Sequence, residues 1–328
     1  MTRHRRQTAL FFAAVTVSLL APAANGTKNG PAEVTVGRYH LQSNVWVCLH
    51  QRLMHNARFG SRAPLSLSGE RLDRWKEAVA AYRSFLGERS PVFDSELRAI
   101  DSALARAEGD ELPRSIPPAL VQALHVAMPL YREAQWPSDD RYNRFWIAFA
   151  RPLLESTETE LIAAHARAFG TPFSKEILVD LTPFAWQVGA YTTGDAKMVH
   201  VIISSTLPGN QEFGALESLM HEPSHGIVDE ESGAIGADLA RTARELGMKP
   251  PPNLWHAVMF YTCGELTRRA LEERGVTYVP YMIRTGMYDR GFRGFRQPLE
   301  SHWQAWLDGK ISETEALRRI LKDTSSDK

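Results

Sequence analysis

Apolar positions in the first half of the chain recur every three to four residues, the spacing that gathers side chains on one face of an α-helix. Val45, Leu49, Leu53 and Ala57 mark a helix over Ser43 to Phe59. Leu72, Trp75, Val79, Tyr82 and Leu86 mark another from Glu70 to Leu86. Asp94 has the chemistry to cap a third that runs to Ala107, because its carboxylate accepts from the free N–H groups of a first turn. Ala119 to Gln135 and Arg141 to Phe169 extend the pattern, and Pro129 and Pro152 are expected to kink or break these two. Beyond residue 174 the period changes. Glu176 to Leu181 and His200 to Ser205 are β-branched apolar runs, with Gly189 to Thr193 between them, and they predict a small antiparallel sheet. Gly194-Asp195 supplies the turn before the last strand, and Pro208-Gly209-Asn210 ends it. Pro250-Pro251-Pro252-Asn253 then announces a helix over Leu254 to Arg269, with Asn253 as its cap. Tyr278 to Tyr281 reads as an extended loop, and Pro298 to Leu307 and Ser312 to Leu321 as short helices, the second opened by the capping box Ser312-Glu313-Thr314-Glu315.

The predicted fold class is therefore α+β and mostly α, with a helical region over 35–170 packed on a second region over 175–322 that holds the sheet, and a tail from 323 to 328. Arg3, Arg5 and Arg6 precede an apolar stretch from Ala9 to Leu20 and the small-residue site Ala21-Pro22-Ala23, the layout of a cleaved signal peptide over residues 1–23. That predicts a periplasmic or secreted protein. The apolar stretch is shorter than the roughly 20 residues needed to cross a bilayer, so no stable membrane insertion is expected once the leader is removed.

Lysine plus arginine and aspartate plus glutamate number 38 each; without the three leader arginines the balance is 35 basic against 38 acidic, a formal charge of −3. Such a balance argues against a nucleic-acid partner. Cys48 and Cys263 are the only cysteines, so this is no disulfide-built scaffold, although an oxidising compartment would permit one bridge between them.

The densest chemistry is His221-Glu222-Pro223-Ser224-His225, which matches H-E-x-x-H. Histidines at i and i+4 of a helix lie one above the other and can bind one cation, while the intervening glutamate can act on a metal-bound water. Pro223 deprives the helix of one backbone hydrogen bond, at a cost of about 3 kcal/mol, which predicts a bend or local widening near Leu219. Glu217, four residues before His221, is placed to accept that imidazole's second proton. His50 and His55, five apart, do not share a helix face well and read as ordinary histidines.

The order strand, loop, H-E-x-x-H helix resembles the zincin superfamily of zinc metallopeptidases, and a glutamate on a later helix resembles its gluzincin branch. That resemblance spans roughly Ile177 to Arg269 and implies Zn2+ held by His221, His225 and Glu265, with Glu222 as the proton-transferring group. It also implies an edge strand that binds extended peptide, and a downstream tyrosine or histidine as oxyanion donor. Tyr281 is the choice among Tyr261, Tyr278, Tyr281, His256 and His302. Gly264 suggests a close approach beside Glu265. Arg269 stands where thermolysin-like enzymes carry an aspartate, and Arg268 and Arg269 could instead pair with Glu265. Glu231 falls at the metzincin ligand offset, but Val228 stands where that pattern needs glycine, so an acidic helix end or loop is the simpler reading.

The function read from the sequence is an exported zinc-dependent hydrolase acting on a peptide or protein, most simply a metallopeptidase. The alternative is an exported helical binding or scaffolding protein with a lapsed or structural metal site, for which Pro223 and Arg269 are the evidence. Zinc-dependent hydrolysis of a non-peptide amide uses the same chemistry.

Overall fold

A computed structural model describes residues 34–60, 66–107, 109–195, 197–228 and 233–325. The expected leader and Glu231 lie outside the described residues. The chain opens with two short strands, β1 (Val34–Val36) and β2 (Tyr39–Gln42), and continues through helices α1 (Val45–Phe59), α2 (Gly69–Leu86), α3 (Ser95–Ala105), α4 (Pro118–Ala134) and α5 (Trp136–Phe169). Strands β3 (Glu176–Thr182), β4 (Ala190–Gly194) and β5 (Met198–Ser204) follow. Then come the motif helix α6 (Gly214–Ser224), α7 (Ala234–Glu245) and the long α8 (Leu254–Glu272).

The fold is α+β and mostly α, as the periodicity predicts, but the sheet is larger than expected and mixed. Its order is β1-β2-β3-β5-β4. β2 runs parallel to β3, and β3 parallel to β5, whereas β1 and β4 pair antiparallel with their neighbours at the two edges. The expected boundary near residue 170 therefore falls within one sheet that takes strands from both sides of it. The sequence pattern does not predict the β1-β2 hairpin, because three and four residues are too few to show a period.

Burial on both faces explains why β3 and β5 read as almost continuous apolar runs. Ile177, Val179, Leu181, Val199, Val201 and Ile203 face a core shared with α5, α6 and α8. Leu178, Ile202 and Tyr191 face the opposite core under α1 to α4. A third core fills the space between α7, α8 and the C-terminal helices. Cys48 and Cys263 are buried free thiols in the second and third of these cores, so they do not form the permitted bridge.

Several local expectations meet their geometry. The Asp94 side chain accepts from Leu97 N at 3.0 Å. Asp195 Oδ1 accepts from Lys197 N and Met198 N to close the β4-β5 turn, and Ser312 Oγ accepts from Glu315 N at 3.2 Å. The helices α4 and α5 run on through Pro129 and Pro152 instead of breaking there. Asn253 precedes α8 with φ +64° but makes no side-chain cap. The last helix covers Glu313–Ser325.

Candidate metal site

The motif helix is buried along its whole length, and it carries its proline in the last turn. Pro223 has no N–H to give to the carbonyl of Leu219. The hydroxyl of Tyr39, itself fully buried on β2, donates to that oxygen at 2.8 Å. Beyond Pro223 the chain tightens to three-residue hydrogen bonds, His225 N to Glu222 O at 3.1 Å and Gly226 N to Pro223 O at 2.9 Å. The strain expected at Leu219 is thus met by a compensating donor and by the end of the helix, with His225 on its closing turn.

His221 and His225 stand beside a third imidazole, that of His256 on α8. One nitrogen from each of the three rings lies within 4.8 Å of the other two. Nε2 of His221 and Nε2 of His256 are 3.4 Å apart. Tetrahedral bonds of 2.0–2.1 Å to one ion would put two nitrogens about 3.3 Å apart, so this pair has the separation that zinc requires. Burial lowers all three pKa values, that of His225 to about 4 and that of His256 to about 3; neighbouring imidazoles add to the effect at His221 and His256. The rings are therefore neutral at pH 7, as metal ligands must be. Phe260 stacks on His221 with ring centroids 3.7 Å apart, and Trp255 packs edge-on to His225, so aromatic walls fix the rings.

Glu265 does not join them. Nine residues beyond His256 on the same helix, it is half a turn round and about 13 Å along the axis, on the opposite face. Its carboxylate is held by Arg268 at 2.7 Å and Arg269 at 2.7 Å. This corrects the expected ligand set, and the two arginines that follow Glu265 were its visible signal. Gly264 does mark a close approach: a Cβ there would meet Pro280 Cβ at 2.9 Å and Glu217 Oε1 at 3.0 Å. No spacing rule marks His256. Its signal was the helical phase it shares with Phe260 and Gly264, the packed face of α8.

Glu222 lies within the site and is buried. Its Oε2 accepts from the Thr192 hydroxyl at 2.9 Å, a hydroxyl that also reaches the Glu222 backbone carbonyl. Burial raises the Glu222 pKa to about 7, against the opposing pull of the Thr192 hydrogen bond. Thr192 belongs to the edge strand β4, so the sheet edge and the motif helix are tied at the glutamate. Glu217 does not hold His221, whose Nδ1 has no partner. Its Oε2 instead accepts from Tyr278 Oη at 2.7 Å and Tyr281 N at 2.9 Å.

These groups open into a cleft of about 1380 Å³. Tyr281 lines it at the start of a short helix, its ring stacked on Phe260 and packed against Gly209. The other donor candidates point elsewhere: Tyr261 bonds Gln304 at 2.7 Å, and His302 bonds Asp323 at 2.8 Å. His50 bonds Tyr82, and His55 stacks on Phe184, both outside the cluster.

No protein-family model, curated protein or solved structure matches the chain.

Proposed function

We propose that the protein is a zinc-dependent hydrolase with a peptide as substrate. The observation that carries this reading is the convergence of one nitrogen each from His221, His225 and His256, beside the buried carboxylate of Glu222, at the floor of an open cleft. Three neutral imidazoles suit zinc and leave a fourth position open. A zinc ion held there would supply a Lewis acid and lower the pKa of bound water.

The chain's own residues account for the remaining steps. Glu222 accepts a proton from the attacking water and returns it to the leaving amine; a pKa near 7 suits both transfers at neutral pH. Thr192 holds the Glu222 carboxylate on the side of the cleft. Tyr281 offers a hydroxyl in the cleft for the developing oxyanion. The edge strand supplies a backbone for substrate. Asp195 N bonds Met198 O, and Ser204 N bonds Gly189 O, so odd-numbered residues of this stretch face β5. The N–H and C=O groups of Ala190 and Thr192 then turn outward, free to pair with an extended peptide.

Purified protein should contain about one equivalent of zinc and hydrolyse peptides until a chelator removes the metal. Stoichiometric zinc without hydrolysis of any peptide in a broad library would favour the structural-site reading. Fully folded protein with no affinity for zinc would reject the hydrolase and favour the lapsed-site alternative.

A further inference from the structure

The outward edge of β4 is open at one end only. At its C-terminal end α3 lies against the strand: Ser102 Oγ accepts the outward N–H of Gly194 at 3.2 Å and bonds Thr193 Oγ1 at 2.8 Å. Arg106, just past α3, pairs with Asp195 at 3.0 Å. A peptide paired with Ala190 and Thr192 cannot continue past Gly194, because the hydrogen-bonding group it would need is taken. From Thr192, beside Glu222, to Gly194 is two residues of strand, about 7 Å. Only one or two substrate residues fit between the reacting carbonyl and the block.

The charge at the closed end is positive. Arg98 lies one turn before Ser102 on the same face of α3 and lines the cleft, and among the described residues no carboxylate pairs with its guanidinium. Asp195, the acid at this end, is already matched by Arg106, and it also accepts from Lys197 N and Met198 N. An incoming ammonium group would find no free acid there, whereas a carboxylate would find a guanidinium able to grip it in two places.

We infer that Arg98 binds the terminal carboxylate of an extended peptide at the closed end of the β4 edge, which makes the substrate class the carboxyl-terminal ends of peptides, cut one or two residues from the terminus. This inference rests on the proposed peptidase reading and deepens it.

Binding tests it without turnover. A mixture of N-acetylated pentapeptides, prepared as free acids and as C-terminal amides, is titrated by calorimetry into the zinc-loaded Glu222→Gln variant. Free acids should bind at least tenfold more tightly than amides, and adding Arg98→Gln should remove that preference. Equal binding of the two forms, no binding by either, or a preference that survives Arg98→Gln overturns the inference. Digests by the unaltered protein, read by mass spectrometry, then separate the two readings. An Arg98-dependent preference without any hydrolysis keeps the carboxylate site at Arg98 and rejects the peptidase, and cleavage near the terminus with it. Hydrolysis of free acids and amides alike at internal bonds does the reverse.

Discussion

The hydroxyl of Tyr39 on β2 donates to the carbonyl of Leu219 on α6 at 2.8 Å, the oxygen that Pro223 leaves without its helical partner. A strand at the start of the described chain thus completes the backbone of a helix some 180 residues later. The proline is affordable because the fold brings that phenol to it.

Removing the phenol should expose the cost. Tyr39→Phe leaves a buried carbonyl unsatisfied and should destabilise the protein by about 1–3 kcal/mol in urea unfolding. Pro223→Ala restores an N–H to the helix, so Tyr39→Phe should cost less in that background. Pro223→Ala alone should gain well under the roughly 3 kcal/mol of an uncompensated proline. Identical costs of Tyr39→Phe in the two backgrounds would show that the hydroxyl and the proline are unconnected.

Zinc content should distinguish the two glutamate and histidine readings of the third ligand. His256→Ala should lose most of the bound metal, since two imidazoles leave the site a ligand short. Glu265→Ala should keep it, with a stability loss of about 1 kcal/mol or less, because the ion pairs it breaks are only partly buried. Metal analysis of both purified variants decides between them, and the reverse pattern would restore Glu265 as the ligand.

Glu222→Gln should retain zinc and fold while lowering turnover by about a hundredfold or more, the usual worth of a proton-transferring group. Thr192→Val removes a hydrogen bond that holds the Glu222 pKa down. A general base works deprotonated, so the acid limb of the kcat/KM profile should move to higher pH in this variant. Tyr281→Phe should lower kcat by about tenfold or more with metal retained. Unchanged turnover in Glu222→Gln would end the proposed mechanism.

A second buried carboxylate should govern stability against pH. Asp101 accepts from Gln51 at 2.9 Å and from Tyr191 at 2.8 Å, and burial pushes its pKa up to about 8. An acid whose folded pKa exceeds its unfolded value of about 3.9 favours folding while protonated. That contribution is complete below the unfolded pKa and is lost as pH rises through 8. Stability should therefore fall by more than about 1 kcal/mol between pH 5 and pH 8, and Asp101→Asn should flatten the curve. Thermal or urea unfolding at both pH values measures it; equal slopes in the two proteins would reject the assignment.

The sequence by itself determined the helical periodicity, the two long strands, the turn at Gly194-Asp195 and the pairing of His221 with His225, because each depends on residues a few positions apart. Arg268 and Arg269 even advertised the fate of Glu265, at three and four residues' spacing on the same helix. The β1-β2 hairpin, the parallel pairing of β3 with β5, the Tyr39 bond to Leu219 and the arrival of His256 were decided by tertiary structure alone. The first is too short to carry a period, and the others join groups far apart in the chain, whose meeting depends on how sheet and helices pack. The third imidazole illustrates the difference: no local spacing marks His256 as a ligand, and only the rotation of α8 about its axis, set by packing Gly264 against Pro280 and Glu217, turns the histidine toward the motif and Glu265 away.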